Sequence, residues 1–327
     1  MTAAHRTSLD ASVIINTYQQ EATIGLLLTA LRQQDFSGGW EIIVIDDGSD
    51  DRTPEIVARH VNTIGPPVRY RQLTHNGNRW SAARNLGIRI SAGETLIFLD
   101  GDMIPDRDLV RRHVTQQARE PCLLAGNRMW RSLATDLGSS ASPQRQLEAL
   151  ASSELSNDPV QRSREAHETR WRQELLATVH PWRAWFGCHV SVPASRDVWF
   201  DEDMAGWGPV DIELACRLHD RHGTLVRFHP EIRAWHLESD GAISNPFRTG
   251  DPRAATQYVL QVCHMIRKYP HLPLRDLLAV GFDRIAPAPD GTWVTVPRGM
   301  GGDPQDTLDM ALAWHRALPD RESGHPA

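Results

Sequence analysis

The chain has 327 residues, a length that suits one large α/β domain or two smaller ones. Its composition, with 40% hydrophobic and 23% charged residues, is that of an ordinary soluble globular protein. The formal net charge of -6 excludes a global basic field, so we expect no nucleic-acid partner.

The cellular compartment is indicated by the cysteines and by the apolar runs. The four cysteines are widely scattered and form no C-x-x-C pair, which argues against a zinc site or a disulfide framework and fits a reducing cytoplasm. The segment Met1–Asp10 has no apolar signal core. No stretch approaches the roughly 18 apolar residues of a membrane span. We therefore expect a cytoplasmic protein without a transmembrane segment.

Strand and helix patterns alternate through the N-terminal part of the chain. Short runs rich in β-branched and aromatic residues predict buried strands, and the spacing of apolar residues between them predicts helices. Alternation with doubly buried strands indicates a parallel sheet with right-handed crossovers, in which ligands bind beyond the carboxyl ends of the strands. The predicted strands are Ser12–Tyr18, Trp40–Ile45, Val68–Leu73 and Leu96–Leu99, and the predicted helices include Glu21–Gln34 and Trp80–Ser91.

The later part of the chain is less regular. Residues 132–180 are polar with a helical character, so we interpret them as an insertion. The predicted organisation is a tail at 1–10, a main domain at 11–240, a mostly helical C-terminal extension at 241–318 and a disordered tail at 319–327. Further predicted strands are Cys122–Asn127, Gly187–Val192, Leu225–His229, Ile232–His236 and Thr292–Val296, and further predicted helices are Asp106–Glu120, Val210–His222, Ala254–Arg267, Leu274–Val280 and Asp306–Ala317.

Acidic residues follow two of the predicted strands. Asp46 and Asp47 stand at the end of the second strand, and Asp100-Gly101-Asp102 follows the fourth. Carboxylates this close do not both stay ionised cheaply without a cation, and a hard divalent ion could bridge them to a diphosphate. The glycine between them lets the backbone approach a ligand closely. A polar turn that caps a strand is the alternative for one cluster, but two acidic strand ends in one sheet favour a site.

Five short motifs follow one another along the chain, namely Ser12–Tyr18, Asp46–Ser49, Ser81–Gly87, Asp100–Asp102 and Gly206–Glu213. In this order and spacing they resemble the inverting family 2 glycosyltransferases with the GT-A fold. The resemblance covers roughly residues 12–238 and implies an α/β fold of GT-A type, with a single Rossmann-like, mostly parallel sheet flanked by helices. It also implies a nucleoside-diphosphate sugar as donor and a single displacement that inverts the anomeric carbon.

The resemblance assigns the nucleoside to the ends of the first two strands. It implies contacts from Thr17, Tyr18 and Asp47, with Asp46 as a further donor-binding candidate whose alternative role is helix capping. A carboxylate can accept the imide N–H of uracil or thymine, so a UDP-sugar or a dTDP-sugar is favoured. Glu21 is another candidate, although a charge at a helix N-terminus explains it equally well.

The resemblance also implies a divalent metal, Mn²⁺ or Mg²⁺, beside the donor diphosphate. Asp102 matches the direct metal ligand, and Asp100 matches a contact to ribose or to metal-bound water. His236, after a predicted strand, fits the histidine that the family often adds, and His229 is the fallback. Arg84 matches the family's arginine beside the base and the phosphates, with a surface arginine as the alternative.

The general base is the third assignment that the resemblance implies. Asp211 occupies the family's position, at a helix start after the Gly-Trp-Gly turn, and would take the acceptor proton. Many relatives carry Glu-Asp here, but Val210 replaces the first acid, so the pair is incomplete. Glu213 would face elsewhere on the helix. A carboxylate that caps the helix is the alternative for Asp211.

The acceptor side is the least specified part of the sequence. Trp207 and Gly208 are candidates for placing a sugar or an apolar acceptor. The insertion at 132–180 is expected near this side, as a lid. The acceptor would be a saccharide, a small natural product or a peptide side chain, and a homo-oligomer is allowed for. Alternative platforms, for which core packing is the default, are Trp182, Trp185 and Trp199.

Two other functions stay open at this stage. A nucleotidyltransferase also combines a sheet with a carboxylate-bound metal, but it usually needs a Gly-rich, basic phosphate loop after the first strand. The chain has Asn16–Gln20 there instead. A non-catalytic module that binds a nucleotide sugar or a partner is supported only by the missing glutamate before Asp211.

Overall fold

The computed structural model describes residues 9–77, 79–132, 142–151, 159–204, 206, 208–238, 252–272, 274, 285–287, 293–295 and 309–313. The chain divides into two compact units. The first comprises Met1–Asp203 and Val210–Ala242, and the second comprises Met204–Pro209 and Ile243–Ala327. Within the described ranges, no helix is long and apolar enough to cross a membrane.

The first unit is built on a single sheet. Its described helices are α1 (Ile24–Arg32), α2 (Thr53–Val61), α3 (Trp80–Ile90), α4 (Leu109–Arg119), α5 (Pro143–Ala151), α6 (Pro159–Leu176) and α7 (Val210–His222), with a 3₁₀ turn at Pro181–Ala184. The strands are β1 (Leu9–Thr17), β2 (Trp40–Asp46), β3 (Val68–Gln72), β4 (Gly93–Asp100), β5 (Met103–Pro105), β6 (Leu123–Ser132), β7 (His189–Pro193) and β8 (Val226–Glu238). They form one eight-stranded sheet in the order β3-β2-β1-β4-β7-β6-β8-β5.

The parallel half of the sheet, β3-β2-β1-β4, has the predicted architecture. β1 pairs in parallel with both β2 and β4, and every residue of β2 is buried, as expected for strands covered on both faces. α3 packs closely on β1 because Gly87 has no side chain, and any side chain there would overlap Ile14. The predicted apolar side of α1 is fully buried and consists of Ile24, Leu27, Leu28 and Leu31.

The other half of the sheet is mixed, and in it two predicted strands are one strand and a further strand was not predicted. β7 runs antiparallel to β4 and β6, and the short β5, which was not predicted, pairs antiparallel with β8. The strands predicted at Leu225–His229 and Ile232–His236 are one strand, β8, paired in parallel with β6 across a register shift between Gly126 and Asn127. Pro230 lacks the N–H of a ladder hydrogen bond, and its carbonyl accepts from the Asn127 side chain at 3.3 Å. The pairing resumes beyond this bulge, so the proline does not end the strand.

The insertion predicted at 132–180 is helical where it is described, as α5 and α6. Leu150 of α5 joins the main hydrophobic core, and Gln144 accepts a hydrogen bond at 2.6 Å from Gln33, which directly follows α1. α6 buries Glu168 and Arg172, which form an ion pair at 2.9 Å. A polar helix is thus attached through charged contacts, which the apolar periodicity of the sequence could not reveal.

The second unit contains α8 (Pro252–Lys268) and an antiparallel pair of β9 (Ile285–Pro287) and β10 (Trp293–Thr295). β10 agrees with the strand predicted at 292–296. Residues 309–313 are helical, within the helix predicted at 306–317. Residues 275–280 of another predicted helix and the tail predicted at 319–327 lie outside the described residues. The buried side of α8 includes Tyr258, Val259, Val262 and Cys263.

Candidate active site

Asp100 ends β4 at the carboxyl edge of the sheet, where the sequence placed it. Arg84 of α3 is almost fully buried beside it and donates from Nη2 to Asp100 Oδ1 at 3.0 Å. Burial raises the pKa of Asp100 to about 6 against the lowering effect of Arg84, and the charges of Asp102 and His236 act in opposite directions. Arg84 is therefore not a surface arginine but a fixed cation at this strand end.

The sheet brings Asp102 and His236 together. Met103 at the start of β5 pairs with His236 on β8, and Leu237 N donates to the Asp102 carbonyl at 3.0 Å. His236 Nε2 consequently lies 3.5 Å from Asp102 Oδ2. His229 stands earlier on the same strand, so the geometry favours His236 as the partner of Asp102.

Gly101 lets the loop between the two carboxylates lie against the end of β1. A side chain at this position would overlap Gln20 Oε1 and lie 3.1 Å from Thr17 Oγ1. Gln20 was missed in the sequence interpretation. Its Nε2 also donates to Asp102 Oδ2 at 3.5 Å, so it contacts both sides of the loop.

The Asp102–His236 pair offers an oxygen and an imidazole nitrogen, a donor set that suits Mn²⁺ well and Mg²⁺ through the carboxylate. Among the residues that the structure describes, no group of three or more His, Cys, Asp or Glu side chains could hold a metal ion. The pair alone does not complete a coordination shell. The described residues thus supply two of the ligands that such an ion needs.

Buried polar groups without hydrogen-bond partners collect at the ends of β1 and β2 and at the start of α3. They are both amide atoms of Asn16, Thr17 Oγ1, Asp47 Oδ1, Arg79 Nε and Ser81 Oγ. Buried polar groups are normally satisfied, so this concentration indicates the binding site of a polar ligand. Thr17 and Asp47 were predicted as site residues, whereas Asn16, Arg79 and Ser81 were missed. An asparagine inside an apolar strand was the available signal.

Asp46 and Asp47 are neighbours with different partners. Asp46 is fully buried, and its carboxylate accepts from the Ser49 backbone and hydroxyl at 2.8 and 2.7 Å and from the Tyr70 hydroxyl at 2.6 Å. Burial and this carboxylate raise the pKa of Tyr70, which keeps the hydroxyl a donor. Asp47 Oδ2 accepts from Arg79 N at 3.0 Å, while its Oδ1 accepts no hydrogen bond. Asp46 thus fixes the loop, whereas Asp47 Oδ1 forms a long ion pair with Arg79 Nη2 at 3.6 Å and keeps its hydrogen-bonding capacity for a further donor.

Tyr18 and Glu21 follow β1 and have partners within the protein. Tyr18, which is 39% exposed, stacks on His75 with ring centroids 4.5 Å apart, and His75 Nδ1 contacts the Asp47 carbonyl at 2.8 Å. This aromatic pair therefore borders the unsatisfied groups. Glu21 Oε2 accepts from Arg52 N at 3.0 Å, immediately before α2, which matches the alternative of a charge at a helix N-terminus.

Asp211 lies in the first turn of α7, and both of its carboxylate oxygens accept backbone hydrogen bonds. Oδ1 accepts from Ile212 N at 2.9 Å, and Oδ2 accepts from Gly187 N. The carbonyl of Gly187 accepts from Arg84 Nη2 at 3.1 Å. Gly187, which was missed, therefore connects Asp211 with the Arg84–Asp100 pair. A side chain there would lie 2.7 Å from Arg84 Nη1 and 3.0 Å from the Asp211 Cβ, so it would displace the Arg84 guanidinium.

The neighbours of Asp211 on α7 have structural roles. Val210 is buried, with 3% of its surface exposed. Glu213 is fully buried and forms an ion pair with Arg217 at 3.1 Å. Arg217 also donates to the Asp197 carbonyl at 2.9 Å. Glu213 thus faces away from Asp211, as predicted.

The predicted acceptor residues are described only in part. Trp207 lies outside the described residues. Gly208 belongs to the second unit, where a side chain would overlap Gln261 Oε1. Trp182 and Trp185 are buried at 2% and 0% exposure, which agrees with core packing, whereas Trp199 is 46% exposed.

The mixed, mostly parallel sheet and its acidic strand ends define an α/β protein of GT-A type. The sequence model of "Glycosyl transferase family 2" matches residues 12–190, and the chain belongs to this family of glycosyltransferase enzymes. Membership in this family does not favour a nucleotidyltransferase or a non-catalytic module.

Two curated relatives and one solved structure illustrate the similarity. Validoxylamine A glucosyltransferase of Streptomyces hygroscopicus subsp. limoneus is 28% identical over 280 residues, which cover 80% of this chain and 57% of that protein. Hyaluronan synthase of Pasteurella multocida is 27% identical over 245 residues, or 70% of this chain and 25% of that protein. A mannosyltransferase from Pyrobaculum calidifontis in complex with GDP-Man and Mn²⁺ has a TM-score of 0.52 at 16% identity, covering 95% of this chain and 74% of that one. The structural likeness shows the fold, and the chain spans 25% to 57% of the length of these two curated relatives.

Proposed function

We propose that this protein transfers a sugar from a nucleoside-diphosphate sugar to an acceptor nucleophile, by a single metal-dependent displacement that inverts the anomeric carbon. The observation that carries the proposal is one connected set of charged groups at the carboxyl edge of the sheet. Asp100 contacts Arg84, and Asp102 faces His236. Asp211 is joined to Arg84 through the Gly187 peptide.

The unsatisfied groups beside this set support a nucleoside site. Asp47 Oδ1 offers an acceptor and Arg79 Nε a donor. Uracil and thymine present the complementary edge, an imide N–H beside a carbonyl, which supports UDP or dTDP as the nucleotide. Guanine also has an N–H beside a carbonyl, and the mannosyltransferase relative was solved with GDP-Man. GDP therefore belongs among the nucleotides tested.

The diphosphate would lie beside Asp100-Gly101-Asp102. Asp102 and His236 are the residues that would hold Mn²⁺ or Mg²⁺, and a bound ion would offset the charge of the leaving diphosphate as a Lewis acid. Arg84 holds the Asp100 carboxylate in place, so that Asp100 is available for a ribose hydroxyl. Gly101 has no side chain, so the loop that carries the two carboxylates packs directly against Gln20 and Thr17 at the end of β1.

Asp211 is the group that would take the proton from the acceptor. As the acceptor oxygen bonds to the anomeric carbon, the bond from that carbon to the diphosphate oxygen breaks, and the acceptor proton moves to the Asp211 carboxylate. The bonds from Ile212 N and Gly187 N fix the direction of this carboxylate, and each oxygen keeps a lone pair for the acceptor hydroxyl. A saccharide, a small natural product or a peptide side chain provides such a hydroxyl or another nucleophile.

The test is to incubate the protein with UDP-, dTDP- and GDP-sugars and a panel of acceptors, with Mn²⁺, with Mg²⁺ and with EDTA. We expect release of nucleoside diphosphate that depends on the metal, and an inverted anomeric configuration in the product by NMR. Release of pyrophosphate would instead indicate a nucleotidyltransferase. Tight binding of a nucleotide sugar without turnover for any acceptor would favour a binding module.

A further inference from the structure

The insertion helix α6 contacts β6 through two carboxylates, Glu165 and the more deeply buried Glu168. Glu168, whose side chain is 9% exposed, accepts hydrogen bonds from Arg128 Nη2 at 3.1 Å, Trp130 Nε1 at 3.2 Å and Arg172 Nη2 at 2.9 Å. Arg172 of the same helix is fully buried and donates to the Ala184 carbonyl at 2.9 Å. Charged hydrogen bonds of this kind hold α6 in one position on the sheet.

Trp130 connects this carboxylate to the candidate metal pair. Trp130 and His236 are neighbours in the parallel ladder of β6 and β8. Their rings meet edge to face, with centroids 4.7 Å apart and planes at 68°. On its other side His236 faces Asp102 at 3.5 Å. The imidazole therefore lies between the indole and the carboxylate.

The orientation of the Trp130 ring is itself fixed from several directions. Its indole N–H donates to Glu168, its backbone N–H donates to Glu165 Oε1 at 3.4 Å, and the Arg128 guanidinium lies 4.4 Å from the ring centroid. An indole has a single N–H, so its bond to Glu168 selects one ring orientation. That orientation determines the space left for the His236 imidazole.

We propose that Trp130, anchored by Glu168, is a positioning residue for His236 in the metal-dependent reaction. The inference rests on the proposed function and extends it, because it makes α6 a support of the metal and diphosphate side and not only a lid for the acceptor. Metal-binding imidazoles depend on neighbours that fix the ring, and loss of such a neighbour lowers metal affinity. Trp130 would act through His236 and not by touching the donor or the acceptor.

The chain offers a matched control for the loss of an indole N–H. Trp235 precedes His236 on β8, and alternation along the strand points the two side chains to opposite faces of the sheet. Trp235 Nε1 donates to Asp106 Oδ1 at 3.2 Å, a tryptophan–carboxylate bond like that of Trp130. Trp235→Phe therefore deletes the same kind of bond close to His236, without touching the ring that packs on it.

The experiment measures Mn²⁺ binding by the electron paramagnetic resonance of free Mn²⁺, with the protein saturated in UDP, together with UDP binding in EDTA. For Trp130→Phe we expect the dissociation constant of Mn²⁺ to rise by about tenfold, the lower end for changes around a metal ligand, with UDP binding in EDTA unchanged. Trp130→Leu, which also removes the ring, should weaken Mn²⁺ binding further. Trp235→Phe should leave both constants at their wild-type values.

The outcomes separate this inference from the proposed function. Wild-type Mn²⁺ affinity in folded Trp130→Phe and Trp130→Leu would overturn the positioning role and leave the transferase proposal intact. Equal losses in Trp130→Phe and Trp235→Phe would mean that any lost tryptophan contact loosens the sheet, and would also overturn it. If the wild-type protein binds neither UDP nor Mn²⁺, the proposed function fails, and the inference fails with it. Thermal unfolding of each variant identifies those that do not fold.

Discussion

At the end of β2, Asp46 accepts hydrogen bonds from Ser49 and Tyr70, whereas at the end of β4 the carboxylates of Asp100 and Asp102 face Arg84 and His236. Both strands end in two closely spaced acids, and sequence alone treats the ends alike. The difference lies in the partners. At the end of β2, neutral donors of the protein occupy the Asp46 carboxylate and fix a loop. At the end of β4, a cationic or ionisable side chain holds each carboxylate at the edge of the sheet, where a charged ligand can bind. Asp47, next to Asp46, keeps one oxygen without a hydrogen bond and belongs to the second kind.

The largest loss of activity is expected at Asp211, a carboxylate outside the two acidic strand ends. We assign it to the acceptor and not to the donor. Asp211→Asn should lower the rate of transfer about 10²–10⁴-fold, the range for loss of a general base, while UDP affinity stays near the wild-type value. Rates with saturating donor and calorimetric UDP binding measure the two quantities. Asp220→Asn, on the exposed part of α7, is the control. Full transfer activity in Asp211→Asn would mean that Asp211 is not the general base.

A slightly smaller loss is expected at the end of β4. Asp102→Asn should abolish the metal dependence of donor binding and lower transfer about 10²–10³-fold, because several kcal/mol of charge stabilisation are lost. UDP binding with Mn²⁺ and with EDTA gives the metal-dependent part. Asp106→Asn makes the same chemical change at a carboxylate that binds Arg233 and Trp235, and it should keep the metal dependence. Identical behaviour of the two variants would contradict the assignment of Asp102.

The two neighbours at the end of β2 should respond in opposite ways. Asp47→Asn should weaken UDP binding about tenfold or more, since a hydrogen bond to a charged group contributes about 1.5–3 kcal/mol, with little change in stability. Asp46→Asn should lower the free energy of unfolding by about 1–3 kcal/mol, because buried donors lose their acceptor. Urea unfolding and UDP titrations of both variants make the comparison. A loss of UDP affinity in a stable Asp46→Asn variant would mean that Asp46 binds the donor.

The pH dependence offers a milder test of Asp100. Burial raises its pKa to about 6, so protonation near that pH removes the charge that pairs with Arg84. In the proposed role of Asp100 it is the ionised form that binds the donor, so kcat/KM should fall about tenfold per pH unit below 6. Asp100→Asn should have lower activity and lack this acidic limb. A limb that persists in the variant belongs to another group.

The smallest effect concerns stability rather than the site. His113 and His189 are fully buried, with their Nε2 atoms 3.1 Å apart, and burial lowers the pKa of His189 to about 3. In the unfolded chain His189 binds its proton near pH 6.5. The contribution of neutral His189 to the free energy of unfolding is therefore fully present above that pH, and it is lost as the pH falls toward 3, by about 1.4 kcal/mol per pH unit. Urea midpoints between pH 7 and 5 measure the slope. His189→Asn should be less stable but have a flatter profile.

The resemblance named candidate residues at the strand ends and on α7, but not the contacts that the structure shows between them. Asp47, Arg84 and Asp102 lie in motifs with short spacing along the parallel half of the sheet. Gly187 and Trp130 were missed because their importance comes from single long-range contacts, to Asp211 and to Glu168, that leave no periodic pattern. A peptide group or an indole N–H that acts on another residue has no signature of its own in a sequence.

The sequence by itself determined the parallel strands and the acidic residues at their carboxyl ends. Apolar runs and helical spacing are local, and parallel order places all such ends at one edge of the sheet. Only the tertiary structure decided that β8 continues past Pro230, that His236 meets Asp102, and that α6 is fixed to the sheet through Glu168. These features depend on strand pairing and buried charge between distant parts of the chain, where hydrogen-bond geometry rather than apolar periodicity sets the arrangement.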